Sequence, residues 1–61
     1  MKTVDDVKSE LNGLKMLGAL SGRRYNRAIA YVNKNEEKVL KDLEYLKTYE
    51  VVDAVLSVCD L

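Results

Sequence analysis

Three arginines within five positions give this sequence its clearest capacity for binding chemistry. They lie in the stretch SGRRYNRAIAYV, which also contains Asn26. Arginine presents planar donors that pair with carboxylate, phosphate or guanine, and asparagine pairs with adenine. At helical spacing, one face of this stretch collects Arg24, Arg27 and Tyr31, with Arg23 beside them. The segment therefore predicts a binding surface for an anionic partner.

A protein partner is the first interpretation of this surface. Arginine and tyrosine are enriched at binding hot spots, so the face fits an acidic protein or the acidic half of a second copy. In another interpretation the face is only solvated, and its arginines pair inside the fold with Glu36, Glu37 or Glu44. The predicted partner-binding residues are Arg23, Arg24, Asn26, Arg27, Tyr31 and Lys34.

Nucleic acid is the alternative partner. Two helices joined by a short turn at residues 20–22 have the outline of a helix-turn-helix, in which residues 22–33 would form the reader helix. The first turns of that helix would meet bases, while Lys15 and Lys34 would meet phosphates. The acidic half of the chain would then have to point away from DNA. The sequence leaves both classes of partner open.

This chain has few side chains that could perform catalysis. There is no histidine and one cysteine, Cys59, so neither a serine nor a cysteine nucleophile would have its usual base. The adjacent acids Asp5 and Asp6, like Glu36 and Glu37, point about 100° apart on a helix and do not converge. The glycines follow no nucleotide-binding spacing. We expect a non-enzymatic protein with no metal, no cofactor and no small-molecule substrate.

Charge is divided unevenly along the chain, although the net charge is zero. Residues 1–34 carry seven bases and three acids, a net charge of +4. Residues 35–61 carry three bases and seven acids, a net charge of −4. No acid occurs between Leu11 and Asn35. This asymmetry allows head-to-tail self-association or a basic face for an anionic partner.

The length of 61 residues predicts one domain, residues 1–61, with a marginal core. A chain of this size buries only about 60% of its unfolded surface. A lone cysteine excludes an internal disulfide, so association with a partner or a second copy is the remaining way to add stability. The lone thiol fits a reducing compartment, and no apolar run approaches the about 20 residues of a membrane span. We therefore expect a cytoplasmic protein that does not bind membranes.

Apolar residues at spacings of three and four predict two helices in the first half. The first should begin after Thr3 and end near Ser21 and Gly22, where glycine can adopt the left-handed conformation. The second should begin at one of these two residues, and its core positions should be Tyr25, Ala28, Ile29 and Val32. Asn33 or Asn35 is expected to cap the helix that follows.

The second half contains two apolar stripes. Either one long helix presents both, or the chain breaks near Thr48, which would cap a fourth helix; we favour the break. A strand is the alternative for the valine-rich tail. The tail carries more apolar surface than one intramolecular contact would bury, which predicts a dimer interface. Its residues would be Tyr45, Tyr49, Val52, Val55, Leu56 and Cys59.

The predicted fold class is all-α, a small bundle of three to four short helices completed by dimerisation. The predicted function is that of a small regulatory, adaptor or inhibitor-type protein that binds a protein partner through its arginine-tyrosine face. A small dimeric DNA-binding transcriptional regulator is the alternative. Phages and other mobile elements encode small helical regulators and inhibitors of this general type, which is an analogy of size and composition.

Overall fold

Four helices form the structure, a computed structural model that describes residues 3–60. They are α1 (Val4–Met16), α2 (Gly22–Lys34), α3 (Glu36–Leu43) and α4 (Thr48–Cys59). The described residues contain no strand. The all-α prediction is therefore confirmed, as is a fourth helix separated from the third. The tail fits a helix because its polar residues Asp53 and Ser57 share one exposed face while Val51, Val52 and Val55 are buried.

Helix α1 begins where the sequence predicts and ends about one turn earlier. The backbone N–H of Thr3 donates to the Asp6 carboxylate at 2.9 Å, which satisfies a free donor at the helix start. Gly18, with a φ of 80°, ends the helix in the left-handed conformation. Two backbone bonds close this end, from Gly18 N–H to Lys15 O at 3.1 Å and from Ala19 N–H to Leu14 O at 3.0 Å. The predicted end at residues 21–22 is wrong, because Gly18 supplies the same stop signal first.

Helix α2 begins at the predicted residue and continues almost directly into α3. Ser21 caps it, since its Oγ accepts from the Arg24 backbone N–H at 3.2 Å. At the other end, the Asn35 side chain donates to the Tyr31 carbonyl oxygen at 2.9 Å. Asn35 is the residue before α3, but its side chain makes no cap to that helix. Asn35 therefore occupies the expected N-cap position, but the expected side-chain bond is not made, because the Asn35 amide satisfies the last turn of α2 instead.

The chain breaks between α3 and α4 at residues 44–47. Lys47 precedes the first residue of α4, and its backbone N–H donates to the Glu50 carboxylate at 3.0 Å. Thr48, the predicted cap, is already the first helical residue. The break itself is as predicted, and it lets Val39 and Leu43 of α3 join the same core as the buried valines of α4, which are Val51, Val52 and Val55.

The core lies among α1, α2 and α4, which pack on one another, while α3 makes fewer contacts. Within residues 3–60 the buried hydrophobic residues are Val7, Leu11, Leu20, Ala28, Val32, Val39, Leu43, Val51, Val52 and Val55. Tyr25 and Ile29, predicted as core, are half-buried at its edge. Among these described residues, no helix combines the length and the apolar character needed to cross a bilayer.

Candidate functional site

One flank of α2 faces α4, and two contacts fix this arrangement. The Arg24 guanidinium pairs with the Asp60 carboxylate, with Nη2 to Oδ2 at 2.7 Å and Nε to Oδ1 at 3.2 Å. One turn further along α2, the Arg27 carbonyl oxygen accepts a bond from the Cys59 thiol, with Sγ at 3.7 Å. The start of α2 therefore lies beside the end of α4, and the two helices are antiparallel.

The opposite flank of α2 faces α1. The Lys15 ammonium group lies 4.6 Å from the centre of the Tyr25 ring, at a distance that permits a cation–π contact. Tyr25 and Ile29 share this flank by helical spacing, so it is occupied by packing within the chain. The face available to a partner must therefore lie between the α4 flank and the outermost surface of α2.

The predicted partner-binding residues separate into two groups. Arg24 and Tyr31 are engaged within the chain: Arg24 pairs with Asp60, and the Tyr31 hydroxyl accepts from Lys38 Nζ at 3.5 Å while its ring packs at the core. The others are exposed, and they are Arg23, Asn26, Arg27 and Lys34. We refer to the three exposed cations Arg23, Arg27 and Lys34 as the basic row.

The arginines find an acid within the fold, but it is not one of those expected from sequence. Among residues 3–60 the ion pair of Arg24 with Asp60 is the only one. None of the described arginines pairs with Glu36, Glu37 or Glu44, so those predicted pairings are wrong. The α3 helix, which carries the first two of these acids, follows the C-terminal end of α2, whereas the arginines lie at its N-terminal end. The solvated-face interpretation thus holds for Arg24 with a different partner.

An acidic counterpart lies on α4 beside the basic row. Asp53 and Asp60 are seven residues apart, two helical turns, and therefore share one side of α4. Because Asp60 contacts α2, Asp53 points toward the same side, and it is exposed. Residues 48–60 include no lysine or arginine, and residues 22–34 include no acid. We refer to Asp53 and Asp60 as the acidic row.

The residues predicted for a dimer interface are divided between the core and the surface. Val52 and Val55 are only 2% and 3% exposed and belong to the core of the single chain. They cannot be offered to a second copy, so this part of the prediction is wrong; the contacts of α4 with α1 and α2 cover them. Tyr45 and Tyr49 are 79% and 55% exposed. The remaining two, Leu56 and Cys59, are half-buried.

Cys59 lies in a setting that keeps its thiol protonated. Partial burial raises the pKa of the thiol above its ordinary value, the neighbouring Asp60 carboxylate raises it further, and Arg27 opposes both. A thiol is a nucleophile only as thiolate, so this arrangement lowers its reactivity. The thiol instead donates to the Arg27 carbonyl oxygen and joins α4 to α2.

We did not predict from the sequence that two apolar residues at the end of α1 are exposed. Met16 and Leu17 are 79% and 83% exposed, although Leu17 continues the apolar row of α1. The early stop at Gly18 leaves both residues outside the packed part of the helix. The signal was present in the sequence, because glycine after an apolar row marks a helix end.

The depression between α2 and α3 does not have the form of a pocket for a small ligand. An open depression of about 490 Å³ lies where α2 meets α3, and residues 33–38 line it. These residues are consecutive and polar, whereas ligand pockets combine apolar walls with a few placed polar groups from several elements. No three acidic, cysteine or histidine side chains among residues 3–60 lie together as metal ligands would. The basic row is therefore the candidate site.

Neither a protein-family model, a curated protein nor a solved structure matches this chain.

Proposed function

We propose that this protein is a non-enzymatic regulator or inhibitor that binds an acidic surface of a protein partner through the basic row of α2. One observation carries the proposal: Arg23, Arg27 and Lys34 are exposed, and none forms an ion pair among residues 3–60. Unpaired cations on a helix without acids attract an anionic surface. Asn26 adds hydrogen-bonding groups between the arginines.

A protein is favoured over DNA because a carboxylate lies at the start of α2. Asp60 neutralises Arg24, the side chain that would stand beside the bases in a reader helix. The turn between α1 and α2 covers residues 17–21, which is longer than the three or four residues of a helix-turn-helix. The chain also has no net positive charge to hold a polyanion.

Recognition in this proposal depends on geometry as well as charge. Arg23 and Arg27 are four residues apart and so project from successive turns, about 6 Å apart along the helix. Such a pair can grip two carboxylates on a partner, each through planar bidentate bonds. A cytoplasmic location is part of the proposal, because the lone thiol suits a reducing compartment.

Affinity capture from extracts of the native host tests the proposal with two matched baits. The first carries Arg23→Gln and Arg27→Gln; the second carries Lys41→Gln and Lys47→Gln, which remove the same charge from exposed positions outside α2. We expect a protein retained by the unaltered chain and by the second bait, but lost from the first. Equal retention by both baits contradicts a role for the basic row.

DNA binding remains the second candidate because Asn26 and two arginines are exposed in the first turns of α2. A gel-shift series over salt tests it. Phosphate-dominated binding with six or more contacts should weaken by about 10³-fold or more between about 50 and 200 mM salt. Absence of any shifted duplex at low salt removes this candidate and leaves the protein partner.

A further inference from the structure

The face formed by α2 and α4 carries opposite charges on its two sides. The basic row lies on α2, the acidic row lies on α4, and the pair of Arg24 with Asp60 marks where the two helices come level. Away from that pair, Arg27 and Asp53 are exposed and have no ion-pair partner among the described residues. The α2 side of the face therefore carries an unpaired cation, and the α4 side carries an unpaired acid.

Such a face is complementary to itself under one type of rotation. A twofold axis that lies in the face and runs parallel to the helices places α2 of one copy over α4 of the other. Each basic row then meets an acidic row, and the contact is made twice, as in any isologous dimer. A twofold axis perpendicular to the helices would instead oppose α2 to α2, with like charges together. The charge pattern selects the first arrangement.

We propose that a second copy of this chain binds the α2–α4 face in this first arrangement, with Arg27 of each copy paired to Asp53 of the other. Rotation about the parallel axis keeps every residue at its own height. Arg27 lies about 4.5 Å along the helix from Arg24, which is level with Asp60, and Asp53 lies about 10.5 Å from Asp60. Arg27 of one copy thus stands between Asp60 and Asp53 of the other, within reach of an arginine side chain.

Apolar groups on the same face complete the contact. Tyr49 and Leu56 lie seven residues apart on α4, and Leu56 falls between the two acids of the acidic row in sequence. Tyr49 is more than half exposed and Leu56 is half-buried. Arginine and tyrosine beside an apolar centre are the composition of a binding hot spot.

The size of the molecule is compatible with this contact. A standard interface covers about 800 Å² on each partner, which is about a fifth of the 4314 Å² accessible surface of the single chain. The molecule extends 28 by 21 by 15 Å, so a contact of this size would involve much of one side.

This inference goes beyond the proposed function, because the molecule that binds the α2–α4 face is a second copy of this chain and not a different, acidic protein. It also has a consequence for that function. Arg27 belongs to the basic row and to the dimer contact, so a dimer covers part of the surface that would bind an acidic protein. Self-association and partner binding then compete for Arg27.

Two charge reversals test the dimer by sedimentation velocity. Arg27→Glu places two acids opposite each other in a homodimer, and Asp53→Arg places two cations opposite each other. Each variant alone should be monomeric at tens of micromolar protein, where the unaltered chain is dimeric. Mixed in equal amounts, the two variants should recover the dimer, because both cross-copy pairs are restored in the heterodimer. The wild-type dimer should weaken between about 0.05 and 0.5 M salt.

The controls distinguish an effect of charge at the α2–α4 face from a general effect of charge and from unfolding. Lys41→Glu and Glu44→Arg reverse exposed charges outside the α2–α4 face and should leave the dimer intact. Circular dichroism should show the same helix content for all variants, because every altered side chain is exposed. A monomeric wild-type chain, or variants whose mixture stays monomeric, overturns the dimer. Neither result alters the capture experiment, which tests the acidic partner separately.

Discussion

Arg24 and Asp60, 36 positions apart in the chain, form a bidentate ion pair that fastens the end of α4 to the start of α2. The two side chains are 42% and 47% exposed, so water and salt screen their attraction. The pair has a second effect, because it removes Arg24 from the cations that a partner could contact. Arg24 therefore stabilises the packing of α2 on α4 and is not part of the basic row.

A double-mutant cycle with Arg24→Ala and Asp60→Ala should give a small coupling free energy. Exposed ion pairs contribute about 0.2–1 kcal/mol, and the bidentate geometry favours the upper part of that range. Urea unfolding of the four proteins at low and high salt measures it. A coupling above about 2 kcal/mol, or one that is unchanged by salt, would show that this pair is not screened as an exposed pair should be.

The same change from glycine to alanine should have opposite effects at two glycines of the first half. Gly18→Ala places a Cβ at a φ of 80° and should lower the free energy of unfolding by about 1–2 kcal/mol. Gly13→Ala lies inside α1 with no other atom within 4 Å of the added Cβ, and should raise it by about 0.5–1 kcal/mol. Thermal unfolding of both variants provides the comparison. Equal shifts of the same sign contradict the Gly18 stop.

Val52→Ala and Val55→Ala should destabilise the single chain. Both side chains are almost fully buried, and removing two methyl groups from a packed core costs about 2 kcal/mol. Tyr45→Ala, at a highly exposed position, should change stability by less than about 0.5 kcal/mol. Urea unfolding at protein concentrations low enough for a monomer measures all three. Loss of stability that appears only at high concentration would return the valines to an interface between copies.

Cys59 should react slowly with iodoacetamide in the native state. Burial and Asp60 raise the pKa of its thiol above 9.0, so less thiolate is present at neutral pH than in the unfolded chain. Because the folded-state pKa is raised, the thiol's contribution to stability is fully present below pH 9.0 and is lost as the pH rises through the folded-state pKa.

The measurement compares alkylation rates in buffer and in denaturant at one pH. Alkylation of Cys59 should be slower in buffer than in denaturant. The difference between the two rates should be smaller in Gly18→Ala if that variant unfolds locally more often. A native thiol that reacts faster than the unfolded one would show an activated cysteine and contradict the arrangement described around Cys59.

Helix existence and type followed from the sequence because amphipathic spacing is a local property. Thr3, Ser21 and the break before Thr48 could be identified from neighbouring residues alone. The end of α1 was also encoded locally, by Gly18. Both Gly18 and Gly22 can end a helix, and the sequence prediction took the second. The backbone hydrogen bonds of Gly18 and Ala19 in the structure show that α1 ends at the first.

The sequence pattern could not show which neighbouring helix covers each helix face. Spacing showed that Val52 and Val55 lie on an apolar side of α4, yet only the packing of α1 and α2 against that side made them core. Likewise, spacing grouped Arg24 with Arg27, and only the position of α4 separated an engaged arginine from an exposed one.

The sequence by itself determined an all-α fold of three to four helices, their apolar sides and the division of charge between the two halves of the chain. The tertiary structure decided that the basic side of α2 lies beside the acidic side of α4, with Arg24 and Asp60 in contact. The physical reason is the range of the forces. Capping and periodicity act within one or two turns, whereas the choice of neighbour depends on how distant segments bury their apolar surface together.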